Sequence, residues 1–274
     1  MTTSLAEALR AGPLGLRHIP GATLGPYQVV AELGRGGFGA VFRARRLDAP
    51  GPDVALKVLL DLPGAAGSRA RRFEREAALA RELRHPGIVP VVDAGERDGV
   101  RFIAFELVLG TTLDRAAEGA PVERVLDLVV ETARAVGHAH AQGVVHRDLK
   151  PANVLVRAAD GRALVTDFGL ARDLALDSSL TNTGALLGTP AYMAPEQLMG
   201  KPPAPTMDVF ALGALLHEAL TGETPFMREN LALRLGAIVA GDVAPPSASR
   251  AGVSPAVDAV VRRALDADPT ARFP

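Results

Sequence analysis

Cysteine is absent from this 274-residue sequence, which excludes disulfide bridges and thiolate metal sites and fits a reducing compartment. An excess of charge of either sign is also lacking, because the formal net charge is −1. The sequence therefore has no electrostatic footprint for nucleic acid. No apolar run approaches the roughly 20 residues that a membrane helix requires. The N-terminal stretch MTTSLAEALRAGPLG has neither a basic nor a continuous apolar segment, so we expect no signal peptide and a cytoplasmic location.

Lysine is scarce. Lys57, Lys150 and Lys201 are the only three, and every other basic residue is arginine. A lysine that is kept against this bias is one that needs a compact, mobile ammonium rather than a planar guanidinium. The hydrophobic content of 48% indicates a soluble globular protein with a sizeable core, in one large or two modest domains.

Strand patterns fill the first part of the chain and helical patterns the second. Strands are predicted at 27–33 and 54–60, a hairpin around Asp98-Gly99, and one helix over 68–84. Later helices are predicted over 123–143, 207–222, 231–241 and 254–268, the last with Ser254 as its N-cap. Strands followed by helices indicate an α+β chain with two lobes rather than a regular alternation of strands and helices.

The stretch GRGGFG, residues 34–39, fits the spacing G-x-G-x-x-G. Glycine lets the backbone approach phosphate closely, and two kinds of site use this pattern. A dinucleotide site would have a strand before it, a helix after it and an acidic residue about 20 positions on, where Asp61 stands. A phosphate-covering hairpin would instead make residues 40–44 a strand. The periodicity over so few residues favours neither reading.

Distant motifs decide between the two. The stretches VALK (54–57), HRDLKPAN (146–153), DFG (167–169) and APE (194–196) occur in this order, and the set resembles the protein kinase family over roughly residues 27–274. HRDLKPAN and GTPAYMAPE are similar to the corresponding motifs of Ser/Thr kinases. The short, arginine-rich loops resemble those of the bacterial branch of eukaryotic-like Ser/Thr kinases. The resemblance implies a small antiparallel five-stranded sheet with one helix, then a mainly helical large lobe, with residues 40–44 extended.

The resemblance also implies the catalytic roles, for a reaction in which the protein mainly positions groups and neutralises charge. Asp148 accepts or orients the proton of the substrate hydroxyl, and Lys150 reaches the transferring phosphate. Asn153 and Asp167 supply the side-chain oxygens that Mg²⁺, or Mn²⁺ in its place, prefers.

ATP binding is assigned by the same resemblance. Lys57 reaches the α- and β-phosphates and is anchored by Glu76. The stretch FIAFELVLG (102–110) is similar to the hinge strand, with Phe105 closing the back pocket and the Glu106 carbonyl and Val108 amide pairing with adenine. The expected ATP-binding residues are Leu33, Gly34, Gly36, Gly39, Val41, Ala55, Lys57, Phe105, Glu106, Val108 and Leu155.

Regulation is expected in the loop between Asp167 and Glu196. In the family, the arginine at the place of Arg147 pairs with a phosphorylated loop, and Thr181 and Thr183 are the candidates for phosphorylation here. A bland polar loop is the alternative. Thr189 is expected to contact Asp148 and Lys150. Structural roles are implied for Asp208, which holds the catalytic-loop backbone, and for the pair of Arg272 with Glu196.

The predicted organisation is an N-terminal extension (1–26), a small lobe (27–107) and a large lobe (108–274) that ends before the family's last helix. The expected partners are proteins with Ser or Thr hydroxyls, the chain itself through autophosphorylation, and a second copy as a family possibility; a membrane anchor downstream of residue 274 is left open. A binding-only relative would have lost one of Lys57, Asp148, Asn153 or Asp167, and all are present. A small-molecule phosphotransferase would lack GTPAYMAPE.

Overall fold

The computed structural model describes residues 4–6, 19–36, 39–59, 77–168 and 190–274. These residues fall into two compact units. The first unit holds the described residues up to Arg84 together with Val89–Val108, and the second holds His85–Ile88 and the described residues from Leu109 onward.

The first unit is built on a six-stranded antiparallel sheet in the order β1-β2-β3-β4-β6-β5. Its strands are β1 (Thr23–Leu24), β2 (Tyr27–Gly36), β3 (Gly39–Arg46), β4 (Val54–Leu59), β5 (Val91–Arg97) and β6 (Val100–Glu106). Five strands were expected in this sheet, and the structure has six. The additional strand is β1, whose two residues are too few to show a periodic pattern. The hairpin of β5 and β6 turns at Asp98 and Gly99, whose φ values of 53° and 73° suit a tight hairpin turn.

The glycine-rich stretch joins β2 to β3 as a hairpin. Gly36 pairs with Gly39, and residues 40–44 lie within β3, so the prediction that they are extended is confirmed. Gly39 has a φ of 154°, and a Cβ there would stand 2.0 Å from the carbonyl oxygen of Val58 on β4. Only glycine lets the two strands approach this closely. A dinucleotide site would require a helix where β3 lies.

One face of this sheet forms a hydrophobic core. Phe42 and Ala44 of β3 and Leu56 and Val58 of β4 are fully buried in it. The segment before residue 27 takes part, because Ser4 bridges Thr23 and several of its side chains belong to the same cluster: Leu5, Ala6, Ile19, Ala22 and Leu24. The core of the first unit therefore includes residues that precede the predicted boundary at 27.

Residues 77–82 are helical, within the helix predicted over 68–84. The helix ends at Glu82, two residues earlier than predicted. Pro86 has no amide hydrogen to donate to the Glu82 carbonyl, and it disfavours helical backbone at His85. Residues 60–76 lie outside the described part of the chain.

The second unit is mainly helical and carries a three-stranded sheet, β7-β8-β9. Its helices are α1 (Leu113–Ala117), α2 (Val122–Ala141), α3 (Pro195–Leu198), α4 (Pro205–Thr221), α5 (Leu231–Ala240) and α6 (Pro255–Ala264), and its strands are β7 (Gly110–Thr112), β8 (Val154–Arg157) and β9 (Ala163–Val165). The four longer helices confirm the predictions from periodicity. The two short helices and the three strands were not predicted.

Helix α4 lies in the hydrophobic core of this unit, with Met207, Phe210, Ala214 and Leu220 buried. Gly222, whose φ of 80° is left-handed, is the C-cap of α4. Ser254 is the N-cap of α6, and its hydroxyl oxygen accepts a hydrogen bond from the amide of Val257. Among the described helices none is both long enough and apolar enough to span a membrane.

The contact of α4 with α6 requires glycine at position 213. A Cβ on Gly213 would stand 2.7 Å from the Cβ of Ala264. A Cβ on Gly137 of α2 would have no described heavy atom within 4 Å apart from the nearby backbone of its own helix. We expect Gly213→Ala to lower the free energy of unfolding by about 1 kcal/mol, because overpacking outweighs the gain in helix propensity. Gly137→Ala should raise it by about 0.5–1 kcal/mol. Urea unfolding of both variants checks this, and equal effects would contradict it.

Candidate active site

A buried carboxylate holds the loop that carries the HRDLKPAN motif. Asp208, in the first turn of α4, is 1% exposed. Its Oδ1 accepts the amide of Arg147 at 2.8 Å and its Oδ2 accepts the amide of His146 at 2.7 Å. The Nε2 of His140 on α2 lies 2.7 Å from the same Oδ2. This is the arrangement that the kinase resemblance implies for Asp208, with His140 as an additional partner.

Arg147 has a left-handed backbone, with a φ of 66°. This conformation brings Cβ against the carbonyl and costs a non-glycine residue about 1–2 kcal/mol. Such strain persists only where the surroundings impose it, and the bond from the Arg147 amide to Asp208 is one such constraint. Asp167 is left-handed too, with a φ of 64°, which a short polar side chain tolerates more readily.

His146 is fully buried and connects the loop to the residues after β9. Its Nε2 lies 2.9 Å from the Thr166 carbonyl oxygen, which accepts only from a protonated nitrogen, and its Nδ1 accepts the Asp148 amide at 3.3 Å. These two contacts fit the tautomer that carries its proton on Nε2. It packs against Phe168, with 4.8 Å between ring centroids.

Neither His140 nor His146 has a role in the motif assignments made from the sequence. The place of His146 as the first residue of HRDLKPAN is the signal that points to it. His140 has no comparable signal, because only the fold brings it to Asp208.

Three predicted residues of the loop are in direct contact. The Nζ of Lys150 donates to the Oδ2 of Asp148 at 2.6 Å. The Nδ2 of Asn153 donates to the backbone carbonyl of Asp148 at 2.7 Å, which fixes the amide of Asn153 with its Oδ1 pointing away from that carbonyl. The side chains of Asp148 and Lys150 are about one third exposed, so both can meet a substrate. The arrangement presents a carboxylate beside an ammonium. A carboxylate can accept a proton, and the ammonium can stabilise negative charge on a neighbouring group.

The chemistry of two donors fits a divalent cation. Asn153 offers an amide oxygen to which the described residues donate no hydrogen bond, and Asp167 offers a carboxylate. The amide of Thr166, next to Asp167, donates to the Asn153 carbonyl at 2.9 Å, which keeps the two residues close in space. Hard oxygen donors of these types are those that Mg²⁺ prefers.

The first unit brings four of the predicted ATP residues to one face of its sheet. Lys57 on β4 stands opposite Val41 of β3, and Ala55 of β4 stands opposite Phe105 of β6. Residues directly opposite, or two apart along a strand, share a face. This face is the reverse of the one that forms the hydrophobic core, and Lys57 is half-buried in it.

The remaining predicted residues have varied positions. Gly34, Gly36 and Gly39 lie in the β2–β3 hairpin and Leu33 sits at a bulge of β2, while Glu106 ends β6 and Val108 follows it. Leu155 belongs to the second unit, where it pairs with Thr112 and Leu164. The predictions for Glu76, Thr181, Thr183 and Thr189 lie outside the described residues.

Tyr192 ties the segment before α3 to α4. Its hydroxyl donates to Oε2 of Glu218 at 2.5 Å. Burial, and then this hydrogen bond, raises the pKa of the Tyr192 hydroxyl. Burial also raises the pKa of the Glu218 carboxyl, with the nearby Asp114 acting in the same direction. The tyrosine therefore stays protonated and donates over the whole physiological range.

Glu196 of the APE motif is held by a buried ion pair. The terminal nitrogens of Arg272 donate to its two carboxylate oxygens at 2.7 and 2.9 Å. Arg272 also donates to the carbonyls of Thr206 and Asp266, at 2.9 and 2.7 Å. The pair joins α3 to the start of α4 and to the segment after α6.

Comparison with known proteins identifies the family. A model described as Protein kinase domain matches residues 27–274, and the chain belongs to this family. Serine/threonine-protein kinase PknJ of Mycobacterium tuberculosis is 43% identical over 263 residues, covering 92% of this chain and 44% of PknJ. Serine/threonine-protein kinase PknB of Mycolicibacterium smegmatis is 38% identical over 255 residues, covering 90% and 40%. The chain thus spans less than half the length of these curated relatives.

A solved structure agrees with this assignment. The Mycobacterium tuberculosis PknI kinase domain is similar with a TM-score of 0.73 and 33% identity, covering 93% of each chain. The resemblance to bacterial Ser/Thr kinases and the α+β kinase fold class are therefore confirmed. The family implies phosphotransfer that depends on ATP, generally with a divalent metal.

The ion pair of Arg272 and Glu196 should contribute strongly to stability. We expect Arg272→Met to lower the free energy of unfolding by about 3–5 kcal/mol, because it leaves a carboxylate that is only 13% exposed without its partner. The matched control is Arg228→Met, which removes an exposed pair with Asp242 and should cost no more than about 1 kcal/mol. Urea unfolding measures both, and equal losses would refute the role of the buried pair.

Proposed function

We propose that the protein is an active Ser/Thr protein kinase that transfers the γ-phosphoryl group of ATP to protein hydroxyls, including its own. The observation that carries this proposal is the direct contact of Asp148 with Lys150 and Asn153 on a loop anchored by Asp208. A kinase fold that only binds partners has no need to hold these three side chains together.

In the proposed reaction, the residues of the loop act on the acceptor. The substrate oxygen forms a bond to the γ-phosphorus as the bond to the ADP oxygen breaks, and Asp148 accepts the hydroxyl proton. Lys150 donates a hydrogen bond to the phosphoryl oxygens and stabilises their negative charge. Asn153 and Asp167 would hold Mg²⁺ or Mn²⁺, which when bound neutralises charge on the phosphates.

The first unit is proposed to bind the nucleotide. The backbone of the β2–β3 hairpin at Gly34, Gly36 and Gly39 covers the phosphates, and Lys57 binds the α- and β-phosphates, anchored by Glu76. The carbonyl of Glu106 and the amide of Val108 pair with adenine. Apolar walls come from Leu33, Val41, Ala55, Phe105 and Leu155.

Regulation by loop phosphorylation is also proposed. A phosphate on Thr181 or Thr183 adds about two negative charges and would order the loop through Arg147. Thr189 would contact Asp148 and Lys150.

Organisation, location and partners complete the proposal. We propose an extension (1–26), a small lobe (27–107) and a large lobe (108–274), in a protein that acts in the cytoplasm on proteins with Ser or Thr and can form a homodimer.

Incubation with labelled ATP and Mg²⁺ tests the activity. Wild type should label itself on Ser or Thr, and Asp148→Asn and Lys57→Met should lose at least about 100-fold in rate, because each removes a group that acts in the transition state. Lys201→Met is the matched control, since Lys201 is exposed and outside the site. Labelling of Asp148→Asn at the wild-type rate would refute the mechanism, and an unlabelled wild type would refute the function.

Mass spectrometry tests the regulation. Protein incubated with ATP and Mg²⁺ should carry phosphate between residues 170 and 189, at Thr181 or Thr183, and the Asp148→Asn variant prepared in the same way should carry none there. A wild-type protein that labels itself only elsewhere would contradict the regulatory proposal while leaving the kinase activity intact.

A further inference from the structure

Gln197 connects the short helix α3 to the catalytic loop. Its side-chain Nε2 donates to the backbone carbonyl oxygen of Arg147 at 2.7 Å. The preceding residue, Glu196, is held by both terminal nitrogens of Arg272. Helix α3 is thus fixed through one residue and reaches the loop through the next.

The carbonyl that Gln197 binds belongs to the peptide that leads into Asp148. The amide of the same peptide donates to His146 Nδ1 at 3.3 Å. On the other side of Asp148, its own carbonyl accepts from Asn153 at 2.7 Å. The peptides before and after Asp148 are therefore both held by side chains, and Gln197 supplies the bond to the carbonyl of the first.

The left-handed backbone of Arg147 makes this bond important. With a φ of 66°, the residue is held at its amide by Asp208 and at its carbonyl by Gln197. A small pocket adjoins this peptide, lined by Arg147, Asp148, Gln197 and Asp208 together with neighbouring side chains. Without the donor at position 197, the Arg147 carbonyl loses this bond, and a strained peptide with one constraint fewer can turn and carry Asp148 with it.

We propose that Gln197 is a positioning residue for phosphotransfer, which fixes the peptide between Arg147 and Asp148 and so the direction of the Asp148 carboxylate. The inference rests on the proposed function, because Asp148 acts on a substrate hydroxyl only in an active kinase. The polarity of residue 197, rather than its size, then decides the rate: the Arg147 carbonyl requires a donor.

Two variants of nearly equal shape separate polarity from packing. Gln197→Met keeps the length of the side chain and removes the donor, and Gln197→Glu places an acceptor against the Arg147 carbonyl. Both are compared with wild type for kcat and for the KM of ATP, with Mg²⁺ and dephosphorylated casein as the acceptor. The control is Met199→Gln, because Met199 is 63% exposed and follows α3.

We expect kcat to fall about tenfold in Gln197→Met and about 100-fold in Gln197→Glu, because small misplacements of a catalytic group have effects of this order. The KM for ATP should stay within about twofold, since residue 197 is not among the proposed nucleotide-binding residues. Met199→Gln should match wild type. Thermal unfolding of each variant is measured alongside, and a positioning role predicts that kcat falls without a matching loss of stability.

The inference would be overturned if both variants kept the wild-type kcat. It would also be overturned if, in both variants, the loss of kcat were matched by an equivalent loss of stability. If neither variant folds, Gln197→Asn is measured, which keeps the amide on a shorter side chain; failure of this variant to fold would show a role in folding and also overturn the inference. A wild type without turnover would instead refute the proposed function, and with it this inference.

Discussion

The loop that carries the HRDLKPAN motif depends on one buried carboxylate, that of Asp208. A buried charge is costly unless its oxygens are hydrogen-bonded, and here the amides of Arg147 and His146 supply one bond to each oxygen, with His140 close to the second. The position in the first turn of α4 adds a favourable interaction with the helix dipole. Because α4 is embedded in the hydrophobic core, Asp208 fixes the loop to that core at the amides of His146 and Arg147.

From Asp208, hydrogen bonds extend to the residues that are proposed to act in phosphotransfer. Asp208 holds the amide of Arg147, His146 holds the amide of Asp148, and Asn153 holds the carbonyl of Asp148. His146 and Asn153 both also bond to Thr166, which brings Asp167 next to the loop. Among the described residues, three non-glycine residues have a positive φ, and Arg147 and Asp167 are two of them. The strain lies beside the proposed catalytic and metal-binding residues, where several partners determine the backbone together.

Periodicity and ordered motifs predicted much of this molecule, and the remainder follows from tertiary contacts. The helices over 122–141 and 205–221 have apolar stripes or runs long enough to identify them. Strands β7–β9 have three or four residues each, too few for a period, and they exist because they pair with one another. The proposed site residues were predicted because the motifs occur in a known order. The contacts of His140 and Gln197 were not, since a side chain that bonds to a distant carboxylate or carbonyl leaves no local pattern.

The pattern that folds the first sheet also orients its lysine. On β4, Leu56 and Val58 belong to the core, so Lys57 must face the opposite side of the sheet. A register shift of one residue would turn an ammonium into the core and two apolar side chains out of it, at a large cost in free energy. Val41 and Phe105 follow the same rule on β3 and β6, because their neighbours Phe42 and Ala104 are buried in the core. The face proposed to bind ATP is thus the face of the sheet opposite the hydrophobic core. A sequence that keeps this alternation of buried and opposite-facing residues keeps Lys57 on that face.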